Sequence, residues 1–342
     1  MDDMVWYYPQ GHERHAEYGH PERPERVDVI VTALQEAGLW ETFPHLDPQD
    51  SPQEVMESVH ERVYLERLEK ICSSGGRLDL DTYATRESWI LAQNAAGGAV
   101  AVAKSVWHRQ AKRGFALTRP PGHHATINRG MGFCLLNNVS IAAEHLLQRE
   151  GAIRLAIVDL DLHHGNGTQD IFWNREDVLY ISTHQYPHYP GSGLLSEIGG
   201  GRGKGATANF PMPPASGDRA YLTVMDKAIL PLLTRFMPDM LLVSYGFDTH
   251  WLDPLGDIRL SADGYARLIS SLAAWADDYA EGRIALFLEG GYDLDAAVAC
   301  TQGVVAALLG KDWSDPLGPS PNPERDSWQG MLRQALQIWG LG

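Results

Sequence analysis

The segment AIVDLDLHHGNGTQ (156–169) places two aspartates and two histidines directly after an apolar, β-branched run. Such groups are costly to bury without a partner, so a strand that leads into them calls for an ion or a reaction. Asp161 and His163 are two apart, and in extended chain residues i and i+2 share a face, so both reach one ion. By the same alternation His164 points away. A third ligand comes from another strand end, and Asp248 in GFDTH is the best candidate. Two carboxylates and one imidazole leave a fourth position open, the pattern of catalytic zinc. An Asp-x-His fragment alone is commonly a helix cap or a solvated loop. Asp248 and the histidines around it are what raise the metal reading.

His123 and His124 follow two prolines and a glycine in RPPGHH. Imidazoles titrate near neutrality, which suits general acid–base work. Taken alone, the pair reads as structural histidines. Asp159, two before Asp161, is placed to orient one of them by hydrogen bonding, and Asn166 to hold the other. Tyr292 follows Gly290 and Gly291 in EGGYD, where glycines permit an unusual backbone path. A phenol there donates to a developing oxyanion, although a lone Tyr is more often a packed aromatic. Gly132, Phe133 and Cys134, with HYPGSG (188–193), add aromatics suited to a tunnel for an extended apolar side chain. The GGGRGKG stretch (199–205) lacks the strand-turn-helix setting of a phosphate loop and reads as flexible.

The elements that must position these residues are strand-like runs at 4–8, 114–118, 155–161, 178–183, 239–247 and 283–291. Helical patterns lie between them, at about 24–38, 60–72, 87–109, 136–149, 218–236, 261–281 and 293–309. This alternation predicts an α/β domain with a central, mostly parallel sheet, helices on both faces and long active-site loops. The chain (1–342) reads as one domain, with a Pro-rich connection (314–324) to a last helix at about 325–339. Four strand ends deliver His, Asp and Tyr to the carboxyl edge of the sheet, where such folds bind ligands.

Composition narrows the classes. Apolar residues make up 44%, enough for a sizeable core. A net charge of −16, from 28 basic and 44 acidic side chains, argues against nucleic acid as a partner and favours a neutral or cationic ligand. Cys72, Cys134 and Cys300 form no CxxC, so neither a disulfide scaffold nor a thiolate cluster is expected. The start lacks a signal peptide's pattern, and no apolar run approaches the ~18 residues of a membrane span. The expected location is the cytoplasm, with no membrane partner. A homo-oligomer is compatible with all of this.

Together, HPERPER, RPPGHHA, GFCLLNN, DLDLHHGNGTQ, YPGSG, GFDTHWLDPLG and LEGGYD resemble the zinc-dependent histone deacetylase family, in its order and over roughly residues 18–310. PGHH with the His–Asn of HHGNG is most similar to the class II and bacterial amidohydrolase branch. The resemblance implies the three-layer αβα arginase–deacetylase fold and zinc-dependent hydrolysis of an acyl-amide, foremost ε-acetyl-lysine in proteins or peptides. Asp161, His163 and Asp248 match zinc ligands. His124 matches the general base, and His123 with Asp159 its electrostatic partner. Tyr292 matches the residue that polarises the carbonyl. Phe133, Tyr189, Gly132 and Gly290 match the tunnel, Arg26 an inner-channel arginine, and Asp81 the rim aspartate, with Asp79 an alternative. A structural potassium or sodium ion is implied at Asp159, Asp161, His163, Ser182 and Thr183. A second is implied at carbonyls near Phe172, Arg175 and Val178.

Asn166 stands where class I enzymes have Asp, which lowers the basicity of His124. Leu255 stands where a Glu favours cationic polyamines, so acyl-lysine is preferred over acetylpolyamine. The acidic composition keeps small acetylated amines in view, and a non-catalytic acyl-lysine binder is the third reading. A two-manganese ureohydrolase is disfavoured, because Gly165 and His250 stand where carboxylates would be needed.

Overall fold

The computed structural model describes residues 1–49 and 53–342. Its strands in chain order are β1 (Asp2–Tyr7), β2 (His45–Leu46), β3 (Gly76–Arg77), β4 (Tyr83–Ala84), β5 (Ala111–Ala116), β6 (Leu155–Asp159), β7 (Val178–Gln185), β8 (Thr207–Met212), β9 (Met240–Tyr245) and β10 (Ile284–Leu288). The central ones are buried on both faces. In β6, Ala156 and Val158 enter one core while Leu155 and Ile157 enter the other, and β9 and β10 alternate likewise. This is why they read as continuous apolar runs. Eight strands form one sheet in the order β2-β1-β5-β10-β9-β6-β7-β8, and every pairing is parallel. β3 and β4 pair antiparallel outside it.

Helices cover both faces. α1 (Glu25–Glu36) lies on one. α2 (Gln53–Val59), α3 (Arg62–Ser74), α4 (Ser88–Trp107) and α5 (Asn138–His145) line the other. The short α6 (Asn166–Phe172) crosses from β6 to β7. α7 (Asp218–Val224), α8 (Leu230–Phe236), α9 (Ala262–Tyr279), α10 (Leu294–Leu309) and α11 (Trp328–Trp339) return to the face of α1. Side-chain caps fix three starts: Asn137 accepts from Ser140 N, Ser261 from Gly264 N, and Asp293 from Ala296 N. The arrangement is a three-layer αβα stack around a parallel sheet, as expected, and the last helix begins at Trp328. Six elements among the described residues go beyond the sequence expectation: the short strands β2, β3 and β4, the edge strand β8, and the helices α2 and α6.

The strand order decides where a ligand sits. From β6 the chain steps outward to β7 and β8, then returns to β9 beside β6 and steps the other way to β10. The reversal lies between β6 and β9, and open α/β sheets bind ligands at the carboxyl ends of such strands. Asp159 pairs with Ser244 there, directly before Asp161 and close to Asp248. Among the described residues no helix is long and apolar enough to cross a membrane. The three cysteines are free and buried.

Candidate active site and metal centre

Asp161, His163 and Asp248 converge at this reversal, with one ligand atom from each lying within 4.8 Å of the others. His163 Nδ1 lies 3.2 Å from Asp161 Oδ1 and 3.1 Å from Asp248 Oδ2. Backbone amides hold the carboxylates in place. His163 N and Gly290 N each donate to Asp161 at 2.8 Å, and Leu162 N donates to Asp248 Oδ1 at 2.9 Å. Gly246 and Gly290 stand where any Cβ would run into these carboxylates, so the cradle requires glycine. Burial disfavours charge on His163, but hydrogen bonds to Asp161 and Asp248 outweigh it and hold its pKa up at about 10. Asp248 is pushed up to about 6 by burial and the Asp161 charge. Despite burial, the His123 and His163 charges hold Asp161 well below the usual carboxylate range. This electrostatic pull suits a cation, and the O,O,N donor set suits zinc with an open fourth position.

The tandem histidines are oriented differently. His123 Nδ1 donates to Asp159 Oδ2 at 3.0 Å, and the Tyr180 hydroxyl donates to the same oxygen at 3.1 Å. Burial lowers the pKa of His123, yet the Asp161 and Asp159 charges raise it to about 10. His124 Nδ1 lies 2.8 Å from Asn166 Oδ1. An amide oxygen only accepts, so His124 carries its proton on Nδ1 and keeps a lone pair on Nε2. Burial and the charges of His123 and His163 depress its pKa far below the ordinary imidazole value. Gly132, at φ +55°, lets the chain pass against the His124 ring, which a Cβ would strike.

Aromatic walls surround these groups. Tyr189 packs edge-on against His124 and His163, with centroids 5.2 and 6.2 Å apart. Phe133 packs edge-on against Tyr292 at 5.8 Å and against His20 at 4.6 Å. Tyr292 is buried, and burial raises its phenol pKa well above the ordinary value. Arg26 lies beneath it, its guanidinium 5.0 Å from the ring centroid. Arg26 donates to Gly291 O and to Glu289 O (2.6 Å) and pairs with Glu22 at 3.0 Å. Between the two rim candidates, Asp79 is occupied in a turn, accepting from Asp81 N at 3.2 Å and Thr82 N at 2.8 Å. Asp81 is exposed beside it, and its carbonyl lies 2.9 Å from His20 Nε2.

Ser182 pairs with Asp159 across β6 and β7, and the Thr183 hydroxyl donates to Asp159 O at 3.4 Å. Phe172 ends α6, Val178 opens β7 and Arg175 lies in the connection between them, where Arg175 N donates to Phe172 O at 3.0 Å. His164 turns away from the cluster toward Ser192 (2.8 Å) and Gln169 (3.1 Å). Three further site residues lie inside the quoted stretches LEGGYD, GFDTHWLDPLG and HYPGSG but received no role from the sequence. Glu289 accepts from Gly122 N at 2.7 Å and His123 N at 3.1 Å. Asp253 holds the Tyr292 amide, and His188 reaches Leu255. The signal that could have found them is their place beside the singled-out residues of those stretches, after strand ends.

The chain is thus an α/β protein with a parallel sheet, whose reversal carries a buried two-carboxylate, one-imidazole cluster that could hold a metal ion, flanked by two oriented histidines. The sequence matches the histone deacetylase domain over residues 20–308, and the chain belongs to that family. It is 42% identical to a probable deacetylase of Archaeoglobus fulgidus, over 86% of this chain and 83% of that protein. It is 35% identical to the histone deacetylase-like amidohydrolase of Pseudomonas aeruginosa, over 85% and 77%. The crystal structure of the HDA15 HD domain superposes with a TM-score of 0.90 at 32% identity, covering 99% of this chain and 95% of that one.

Proposed function

We propose that the chain is a zinc-dependent deacetylase that hydrolyses ε-acetyl-lysine amides in proteins or peptides. The observation that carries this is the pairing of His124 with Asn166 beside the Asp161–His163–Asp248 cluster, which leaves the Nε2 lone pair free to accept a proton. Asp161, His163 and Asp248 hold the ion, which when bound supplies Lewis-acid polarisation of the carbonyl and acidifies water. His124 Nε2 accepts the proton of the attacking water and delivers it to the leaving amine. His123, kept cationic by Asp159 and Asp161, adds positive charge beside the developing oxyanion. The Tyr292 hydroxyl donates to that oxyanion. Phe133 and Tyr189 enclose the acyl-lysine stem and exclude water, and Asp81 accepts from substrate backbone amides at the rim.

Asp159, Asp161, His163, Ser182 and Thr183 hold a structural potassium or sodium ion. His184 Nε2 faces Gly193 O at 2.9 Å and so carries the proton. Ser182 therefore donates to His184 Nδ1 (2.8 Å), leaving its oxygen lone pairs for a cation. Carbonyls of Phe172, Arg175 and Val178 serve a second such ion. Leu255, apolar at the mouth, favours acyl-lysine. The net charge of −16 favours a second reading, an acetylpolyamine deacetylase. The test is kinetics of zinc-loaded protein on acetyl-lysine peptides, longer acyl-lysines and acetylpolyamines, with a chelated control. Acetyl-lysine peptides are expected to have the highest kcat/KM, and chelation to abolish it reversibly. Stoichiometric zinc with no turnover on any acyl-amine would overturn deacylation in favour of a binding role.

A further inference from the structure

Asp253 is a buried carboxylate, 5% exposed, whose hydrogen-bond partners are backbone amides. Its Oδ2 accepts from Tyr292 N at 2.6 Å and Asp293 N at 3.3 Å, and its Oδ1 from Leu255 N at 3.0 Å. Burying a charge is costly, and partners of this kind make the carboxylate a clamp on chain geometry. The other backbone group of Leu255 is also held. His188 Nε2 lies 2.8 Å from Leu255 O, and Tyr189 N donates to His188 Nδ1 at 2.8 Å. A carbonyl only accepts and an amide only donates, so both contacts are met by one neutral tautomer, protonated on Nε2. The His188 ring also stands edge-on to His163, 5.1 Å between centroids.

These bonds run continuously from Tyr189, through His188, Leu255 and Asp253, to Tyr292. They join the loops after β7, β9 and β10, which are otherwise distant in sequence. Building on the deacetylase reading above, we infer that His188 and Asp253 are positioning residues that lock tunnel wall, mouth and oxyanion donor into one unit. His188 sets how tightly the mouth grips the acyl-lysine stem. Asp253 sets where the Tyr292 hydroxyl stands.

The two ends of the strap are expected to act on different kinetic parameters. His188→Phe keeps the aromatic face toward His163 and removes both hydrogen bonds. Its KM for an acetyl-lysine peptide should rise about five- to tenfold with kcat nearly unchanged. Longer acyl-lysines should lose less. His188→Gln, which retains one donor and one acceptor, should recover part of the loss. Asp253→Asn keeps shape but replaces an accepting oxygen with a donor. Its kcat should fall about 10- to 100-fold at near-constant KM, with zinc content unchanged. Amide hydrogen exchange reads the strap without turnover. Tyr189 N–H should lose protection in His188→Phe, and Tyr292 N–H in Asp253→Asn. Unprotected Tyr189 and Leu255 amides in the wild type would overturn the strap. So would an active wild type in which both variants change the same parameter or neither changes any. A wild type that turns over no acyl-amine refutes the deacetylase reading instead, and exchange then decides the strap alone.

Discussion

At the residue scale, the proposed mechanism divides the tandem histidines by their different Nδ1 partners. Asp159 keeps His123 charged, whereas neutral Asn166 leaves His124 as a lone-pair acceptor. In Asn166→Asp a carboxylate facing Nδ1–H favours the imidazolium and raises the pKa of His124. Since His124 must be neutral to accept a proton, the acidic limb of the kcat/KM profile should move to higher pH. A limb that stays in place would remove Asn166 as the partner. Tyr292→Phe leaves ring packing on Phe133 and Arg26 intact and deletes only the hydroxyl. Its kcat should drop about 10²- to 10³-fold with KM and zinc content retained, the usual cost of one oxyanion donor. Steady-state kinetics with a metal assay checks both quantities.

At the element scale, the site exists because β6, β9 and β10 end together and glycine follows where side chains cannot fit. A Cβ on Gly290 would stand 2.6 Å from Asp161 Oδ2 and closer still to Asp248 Oδ2. Gly290→Ala should therefore weaken zinc binding at least about tenfold, the lower range for disturbing residues that support metal ligands. Zinc per chain after dialysis against a weak chelator measures it, with circular dichroism reporting the fold. Full zinc retention would mean that the strand ends yield more easily than their packing indicates. The same strands were the ones legible in sequence, because burial on both faces leaves a continuous apolar run that stops at polar residues. β8 escaped notice because TANFPM, at the sheet edge, mixes Asn and Pro into its apolar residues. α6 escaped because NGTQDIF opens with loop-like Asn-Gly. Within the candidate site, the Asp and His side chains that the structure brings together were legible by residue type and strand-end position. Glu289, Asp253 and His188 were not, since they act on backbone groups 167, 39 and 67 residues away, and no local spacing encodes that.

At the scale of the whole molecule, the fold concentrates carboxylates at one point of a chain with a net charge of −16, and cation and proton compete there. Without an ion, Asp161 and Asp248 hold a proton on His163, whose pKa rises to about 10. An imidazole with a raised pKa gives stability that is fully present below its unfolded value, near 6.5, and is lost as pH climbs toward the folded value. The ion-free protein therefore loses this contribution above about pH 6.5. Ion binding needs His163 neutral, so it displaces that proton, and below about 6 it also displaces one from Asp248. Both effects have the same sign: zinc should stabilise the protein more as pH rises. The stability gap between zinc-loaded and chelated protein, seen as a gap in Tm, should widen from about pH 6 to about pH 8, the free-energy difference growing by up to ~1.4 kcal/mol per pH unit for each proton displaced. Thermal melts at fixed free zinc measure the gap, and calorimetry in buffers of different ionisation enthalpy counts the protons released. Asp248→Asn should shrink the gap by removing one ligand and its charge. A gap that stays constant with pH would show that the ion does not compete with the proton on His163, and would remove Asp161, His163 and Asp248 as its ligands.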